Sequence, residues 1–180
     1  MKCKILAMFM AITSLLLALG CSQSQKSPDV KADIEKALDQ ADLRSVSVSQ
    51  DRDKGVITLA GDVPTEADKQ RAEDVTRSFA NSLVIANQIG VRPSGFESEA
   101  KKIDSSLDTA IEKNLEAILV GKHLNQDINY AAKNGVLTLS GEVDSINRRH
   151  ELEQLAASVP NVKQVVNEIQ IKGIKATASK

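Results

Sequence analysis

Gly135-Val-Leu-Thr-Leu-Ser-Gly141-Glu-Val143 decides how this chain is read, because Gly55-Val-Ile-Thr-Leu-Ala-Gly61-Asp-Val63 stands eighty residues before it. The two stretches agree at Gly, Val, Thr, Leu, Gly and Val, and differ only by Ile/Leu, Ala/Ser and Asp/Glu. Self-similarity at one fixed spacing marks a duplicated structural unit. In each copy a turn glycine opens a short β-rich run, and a second glycine closes it ahead of a helix start. Gly55, Gly61, Gly135 and Gly141 are therefore expected to be structural glycines, where the backbone needs positive φ or an approach too close for a Cβ. Asn134-Gly135 spells a type I′ hairpin turn, whose two central residues both have positive φ.

The repeat extends beyond the motif at the same offset. Ala72, Val75, Thr76 and Phe79 lie over Leu152, Leu155, Ala156 and Val159, each set spaced as one helical face. Ala86-Asn-Gln-Ile89 lies over Val166-Asn-Glu-Ile169. Upstream, Val46-Ser-Val48 and Ile128-Asn-Tyr130 both alternate as strands do, and the first copy has the longer hairpin loop, Asp51-Arg-Asp-Lys54 against Lys133-Asn134.

The order helix, strand, G-V-x-T-L-x-G-x-V strand, amphipathic helix and x-V-x-N-x-I strand resembles the BON domain. The second copy carries the likeness best, ending Val159-Pro-Asn-Val162-Lys-Gln-Val165-Val-Asn167-Glu-Ile169; the first has Ala80-Asn-Ser-Leu83 at that turn. The resemblance implies an α+β chain of two repeated αββαβ domains, each a small three-stranded mixed sheet packed with two helices.

Around that core the chain divides as follows. Residues 1–20 read as a lipoprotein signal peptide: Lys2 and Lys4 precede an apolar run too short for a stable span. Leu17-Ala-Leu-Gly20-Cys21 is similar to a lipobox, which makes Cys21 the expected lipid anchor, and Ser22 after it favours sorting to the outer membrane. Residues 21–28 are a polar tether, 29–92 the first domain, 93–103 a Pro-Ser-Gly linker, 104–172 the second domain and 173–180 a polar tail. Asp29 is expected to cap the first helix, with Ile34, Ala37, Leu38 and Ala41 as its stripe. Thr65 with Asp68 reads as a capping box. A longer first helix of the second domain, starting near Glu97 or Ser105, carries Leu107, Ile111, Leu115, Ile118 and Leu119 and is expected to end with Gly121 as its C′ residue.

Composition excludes more than it assigns. Cys3 leaves with the signal and Cys21 takes lipid, so the mature domains have no thiol for disulfide, metal or nucleophile chemistry. Without Lys2 and Lys4 the chain has 21 cations against 24 carboxylates, a net of −3 that offers no field for nucleic acid. Asp51, Asp53 and Asp62 lack the spacing and terminal glutamate of a calcium loop. His123 and His150 fall at non-equivalent repeat positions, and Lys69, Arg71, Arg148 and Arg149 are expected on outer helix faces. No nucleophile, phosphate-loop or metalloprotease motif is present, so no catalytic residue, metal or cofactor is expected.

Function rests on the resemblance. BON domains are regarded as phospholipid-binding modules, and the tandem pair is similar to the dual-BON outer-membrane lipoproteins of Gram-negative bacteria. That likeness implies a non-enzymatic envelope lipoprotein facing the periplasm, binding anionic phospholipids and supporting membrane integrity or stress tolerance. The alternative is an adapter or osmotic-stress factor whose domains bind an envelope protein. In such lipoproteins the first helix of the second domain faces the membrane. Here that is Leu107 to Lys122, with Ala110, Lys113, Asn114 and Lys122 as the implied contacts, in a stretch that has no Trp, Tyr or Phe.

Overall fold

The computed structural model describes residues 26–124 and 127–173. Residues 1–20, expected as a signal peptide, the expected anchor Cys21 and residues 174–180 of the tail lie outside the described residues. The elements run α1 (Lys31–Gln40), β1 (Val46–Asp51), β2 (Val56–Val63), α2 (Glu66–Ala80), β3 (Val84–Asn87) and β4 (Gly90–Val91), then α3 (Glu97–Gly121), β5 (Ile128–Lys133), β6 (Val136–Val143), α4 (Ile146–Ala157), β7 (Gln164–Asn167) and β8 (Gln170–Ile171). Each unit is αββαβ as the repeat implies, with its third strand broken into two short pieces.

Both quoted motifs form the central strand of their sheet. β2 pairs antiparallel with β1 and parallel with β3, and β4 continues that parallel pairing at Asp62 and Val63. β6 repeats this with β5, β7 and β8. A parallel return needs a crossover, which α2 and α4 supply. Alternation along β2 turns Ile57 and Leu59 towards α1 and α2, where they join Ile34, Leu38 and Ala72 in one core. Leu137 and Leu139 do the same with Ile111, Leu115 and Leu152. The opposite, helix-free faces meet each other, burying Val56, Ala86, Val136 and Val166 in a third cluster.

The break in the third strand explains the asparagine of the repeat. Asn87 donates its amide to the Glu73 carboxylate at 2.9 Å, and its side-chain oxygen accepts from the Ile89 N–H at 3.4 Å. Asn167 repeats both contacts with Glu153, at 3.1 Å, and Ile169, at 3.2 Å. One side chain thus satisfies the interrupted ladder and ties it to the crossover helix.

Helix ends follow local chemistry, with two departures from the sequence reading. Val30, not Asp29, is the cap residue of α1; Asp29 sits one position early and accepts from the Lys31 N–H at 3.3 Å. Gly121 is the last helical residue of α3, and the left-handed position falls on His123, at φ 57°. There the Leu124 N–H reaches the Leu119 carbonyl at 2.8 Å and the His123 N–H reaches Val120 at 3.1 Å. This is a Schellman closure, and buried Leu124 supplies its apolar contact. Asp42 and Leu43 close α1 in the same way. The turn after each crossover helix also uses asparagine at positive φ, Asn81 and Asn161, the expected place of a glycine.

The polar tether is held at its end. Ser27 donates its N–H to the Arg52 carbonyl at 2.9 Å, Arg52 Nε donates back to Ser27 at 2.8 Å, and the Gln50 amide joins Pro28 and Val30. Hydrogen bonds to the tether's backbone, three of them with hairpin side chains, bring this segment onto the hairpin.

Both crossover helices start on a side-chain cap: Thr65 Oγ1 accepts from the Asp68 N–H at 3.1 Å and Ser145 Oγ from the Arg148 N–H at 3.3 Å. The Thr65 hydroxyl also donates to the Asp68 carboxylate at 2.6 Å. Ser145→Ala is expected to cost about 1 kcal/mol and Thr65→Ala somewhat more, by urea denaturation. Equal losses would remove the carboxylate's share.

Candidate functional site

The implied membrane-facing helix is α3, whose sequence sorts it into a stitched inner side and an open outer side. On the inner side the buried Asp108 carboxylate accepts from the N–H groups of Asn134 and Gly135, at 2.8 and 2.9 Å, which fixes the hairpin turn against the helix. Glu112 accepts from the Ala132 N–H at 2.8 Å on the free edge of β5. Asp104 pairs with Arg92 at 2.5 Å.

Arg92 is the hub of the junction. It is 8% exposed and lies just past β4, where its Nη1 also donates to its neighbour's carbonyl, Val91, at 3.0 Å. Nη2 donates to Asn134 Oδ1 at 3.3 Å, while Nε lies 3.3 Å from the Asp62 carboxylate. A Cβ on Gly90 would stand 2.6 Å from that guanidinium, so the glycine makes the space for it. Asn134 hands the connection on, donating Nδ2 to the Gln88 carbonyl at 2.7 Å.

Two of the helix cations expected outside are turned inward. Lys69 is buried and donates Nζ to the Ile89 carbonyl at 2.8 Å. Burial pushes its ammonium below the usual lysine range, Lys163 adds to this, and Glu66, Asp104 and Glu73 oppose it. Arg149, its repeat equivalent, donates to the Asn167 carbonyl at 3.1 Å. In both units a long stem covers the core while its head satisfies a carbonyl at the strand break. His150 is exposed and sits 3.0 Å from the Gln154 amide nitrogen, as its position predicts.

The four implied lipid contacts do not form one patch. Lys113 and Asn114 are exposed and Ala110 is half-buried, and their i, i+3, i+4 spacing puts them on a single face. Lys122 is exposed but follows the helix as its C-cap, about 12 Å along the axis from Asn114 and rotated away from Lys113 by about half a turn. The helix also carries six carboxylates against three lysines.

What sequence reasoning missed lies further back. α3 starts at Glu97, so Phe96, Ile103 and Leu107 fall at seven- and four-residue spacing on one side of its first turns. They are 65%, 60% and 40% exposed. Leu107, expected in the core stripe, instead lines a shallow depression with Val162 and Lys163. The signal was readable: the apolar spacing Phe96, Ala100, Ile103, Leu107 is helical, but it crosses the linker drawn at 93–103.

Among the described residues no helix is long and apolar enough to cross a membrane, and no cluster of His, Cys, Asp and Glu is arranged to hold a metal.

Osmotically-inducible protein Y of Escherichia coli (strain K12) is 27% identical over 146 residues, covering 79% of this chain and 71% of that protein. Two solved structures are of CdsD, a structural protein of the type III secretion system of Chlamydia trachomatis. Its C-terminal domain is 16% identical with a TM-score of 0.31, covering 79% of this chain and 65% of that one. The second is 13% identical with a TM-score of 0.35, covering 80% and 92%. The BON domain matches twice, at residues 27–93 and 107–173, once over each αββαβ unit. With both units matched, this chain belongs to the BON domain family.

Proposed function

We propose that this is a non-catalytic envelope protein, anchored by lipid on Cys21 in the outer membrane facing the periplasm, whose second unit rests on phospholipid headgroups through α3. The observation that carries the reading is the uncovered stripe of Phe96, Ile103 and Leu107. Exposed aromatic and aliphatic side chains on one helix face suit a shallow interfacial site. Lys101, Lys102 and Lys113 lie on the same helix and favour anionic headgroups, each worth on the order of 1 kcal/mol near the surface. Two BON units and a relative named for osmotic induction support a role in envelope stress tolerance.

The acidic balance of α3 bounds the affinity. Unlipidated protein should bind weakly, with the acyl chains supplying residence by raising the local concentration at the bilayer. Co-sedimentation of residues 22–180 with phosphatidylglycerol vesicles tests this. Phe96→Ser with Ile103→Asp is expected to abolish binding, and Lys113→Glu with Lys122→Glu to weaken it, as raised salt does. Binding unchanged in the first variant removes the lipid reading. The six carboxylates of α3 then favour the adapter reading, in which this face meets a basic envelope protein.

A further inference from the structure

The two units pack through the same surface on each. Advancing by the repeat offset of eighty residues takes Val56 to Val136 and Ala86 to Val166, and these four side chains are the buried cluster between the sheets. The polar contacts beside it are reciprocal too. Lys54 pairs with Glu168 at 2.6 Å, and that pairing holds its ammonium above the usual lysine range. Asn134, the equivalent of Lys54, donates to the carbonyl of Gln88, the equivalent of Glu168. Position i of one unit meets j of the other, and j meets i, which is the pattern of a two-fold, isologous interface.

Besides the Arg92 contacts, one clasp at the free edge of β3 breaks the symmetry. The Gln164 side-chain amide donates to the Ile85 carbonyl at 2.6 Å and accepts from the Asn87 N–H at 3.3 Å. It fills the place that a residue of another parallel strand would take opposite Ala86, closing the free edge of β3. Its equivalent is Val84, which has no side-chain amide and is 46% exposed.

The covalent connection is short and open by comparison. Between β4 and α3 only residues 92–96 are non-helical, and Gly95, at φ +86°, has none of the described residues within 4 Å of where its Cβ would be.

We propose that this face is a self-complementary docking surface whose fitting partner is a second copy of this chain. The units recognise each other without the link, and halves exchange between chains once it opens. In the intact chain the short connection keeps each half at high effective concentration for its own partner, so pairing within the chain wins.

The test uses the whole soluble chain, residues 22–180, with a protease site inserted between Ser94 and Gly95. After cleavage the halves should stay together as a 1:1 complex on size exclusion at about micromolar concentration, with circular dichroism unchanged. Cleaved tagged protein mixed with cleaved untagged protein should capture the untagged second half. Gln164→Ala should speed that exchange about tenfold, and Val84→Gln should slow it by a similar factor through a second amide clasp, each tenfold being about 1.4 kcal/mol. Halves that part, or unfold, on cleavage overturn the proposal. So do halves that remain paired but never exchange, or exchange indifferent to both variants.

Discussion

Gly141→Ala leaves the chain without a stable second unit, and Gly61→Ala does the same to the first. Both glycines sit within their central strand at positive φ, +125° and +117°. A Cβ there would stand 2.1 Å from a backbone oxygen, that of Asp127 for Gly141 and of Ser45 for Gly61. Neither oxygen belongs to a flexible side chain, so relief requires moving β5 or β1 off the central strand and losing the ladder. Left-handed strain alone costs about 1–3 kcal/mol, and displacing a paired strand raises the expected loss above about 4 kcal/mol. For units this small such a loss consumes most of the stability. Gly135→Ala is the control. Its φ is +85°, but the nearest atoms to the added carbon belong to the flexible Lys163 side chain, from 3.0 Å, so the loss should stay at about 1–2 kcal/mol. Thermal unfolding followed by circular dichroism ranks the three. Gly135→Ala as damaging as Gly141→Ala would show that the backbone clash at the strand corner adds nothing beyond the cost of positive φ.

The second large effect is expected from Arg92→Met. The methionine keeps much of the apolar stem but leaves Asp104 and Asn134 Oδ1 without their donor, and Asp62 without its counter-charge. Removing one partner of a buried ion pair typically costs about 3–5 kcal/mol; with Asp62 and Asp104 partly hydrated, about 2–4 is expected here. The variant should uncouple the units, because Arg92 joins the end of the first sheet to the helix and turn of the second. Hydrogen exchange is then expected to rise in the first turns of α3 and at the Asn134 turn before it rises in either core. Uniform acceleration across both units would assign Arg92 a role in global stability alone. Arg92→Met with Asp104→Leu should recover part of the loss, since it removes the more buried of the two carboxylates left without a counter-charge and leaves only the more exposed Asp62.

Much of this architecture was legible because duplication doubles every signal. Gly135 and Gly141, the Thr65 cap and the alternation around Leu137 and Leu139 each repeat, and each lands where local chemistry predicts. The helix ends were less readable. Asp42 and His123 adopt the left-handed conformation that composition assigns to glycine, because buried Leu43 and Leu124 hold the closing turn from the other side. Lys69 and Arg149 look like outer-face cations in a helical wheel. They turn inward because the broken third strand presents carbonyls within reach, and that break is invisible in a run of β-forming residues. The candidate surface was legible only in part. Lys113 and Asn114 share a face by spacing, whereas Pro93 and Gly95 mark a linker there and leave the helix start open between Glu97 and Ser105, which hides the helical period of Phe96 and Ile103.

The Asn134-Gly135 turn has a consequence for the chemical ageing of the protein. An asparagine followed by glycine is the dipeptide most prone to deamidate, when the glycine amide nitrogen attacks the side-chain carbonyl carbon and ammonia leaves. Here the Gly135 N–H is engaged by Asp108. The Asn134 amide is buried, held by Gln88 at its nitrogen and by Arg92 at its oxygen, so neither reactant is free to turn towards the other. The lability written into the sequence is suppressed twice by the fold: parting of the units frees the Asn134 amide, and the turn must also leave Asp108 before the asparagine begins to age.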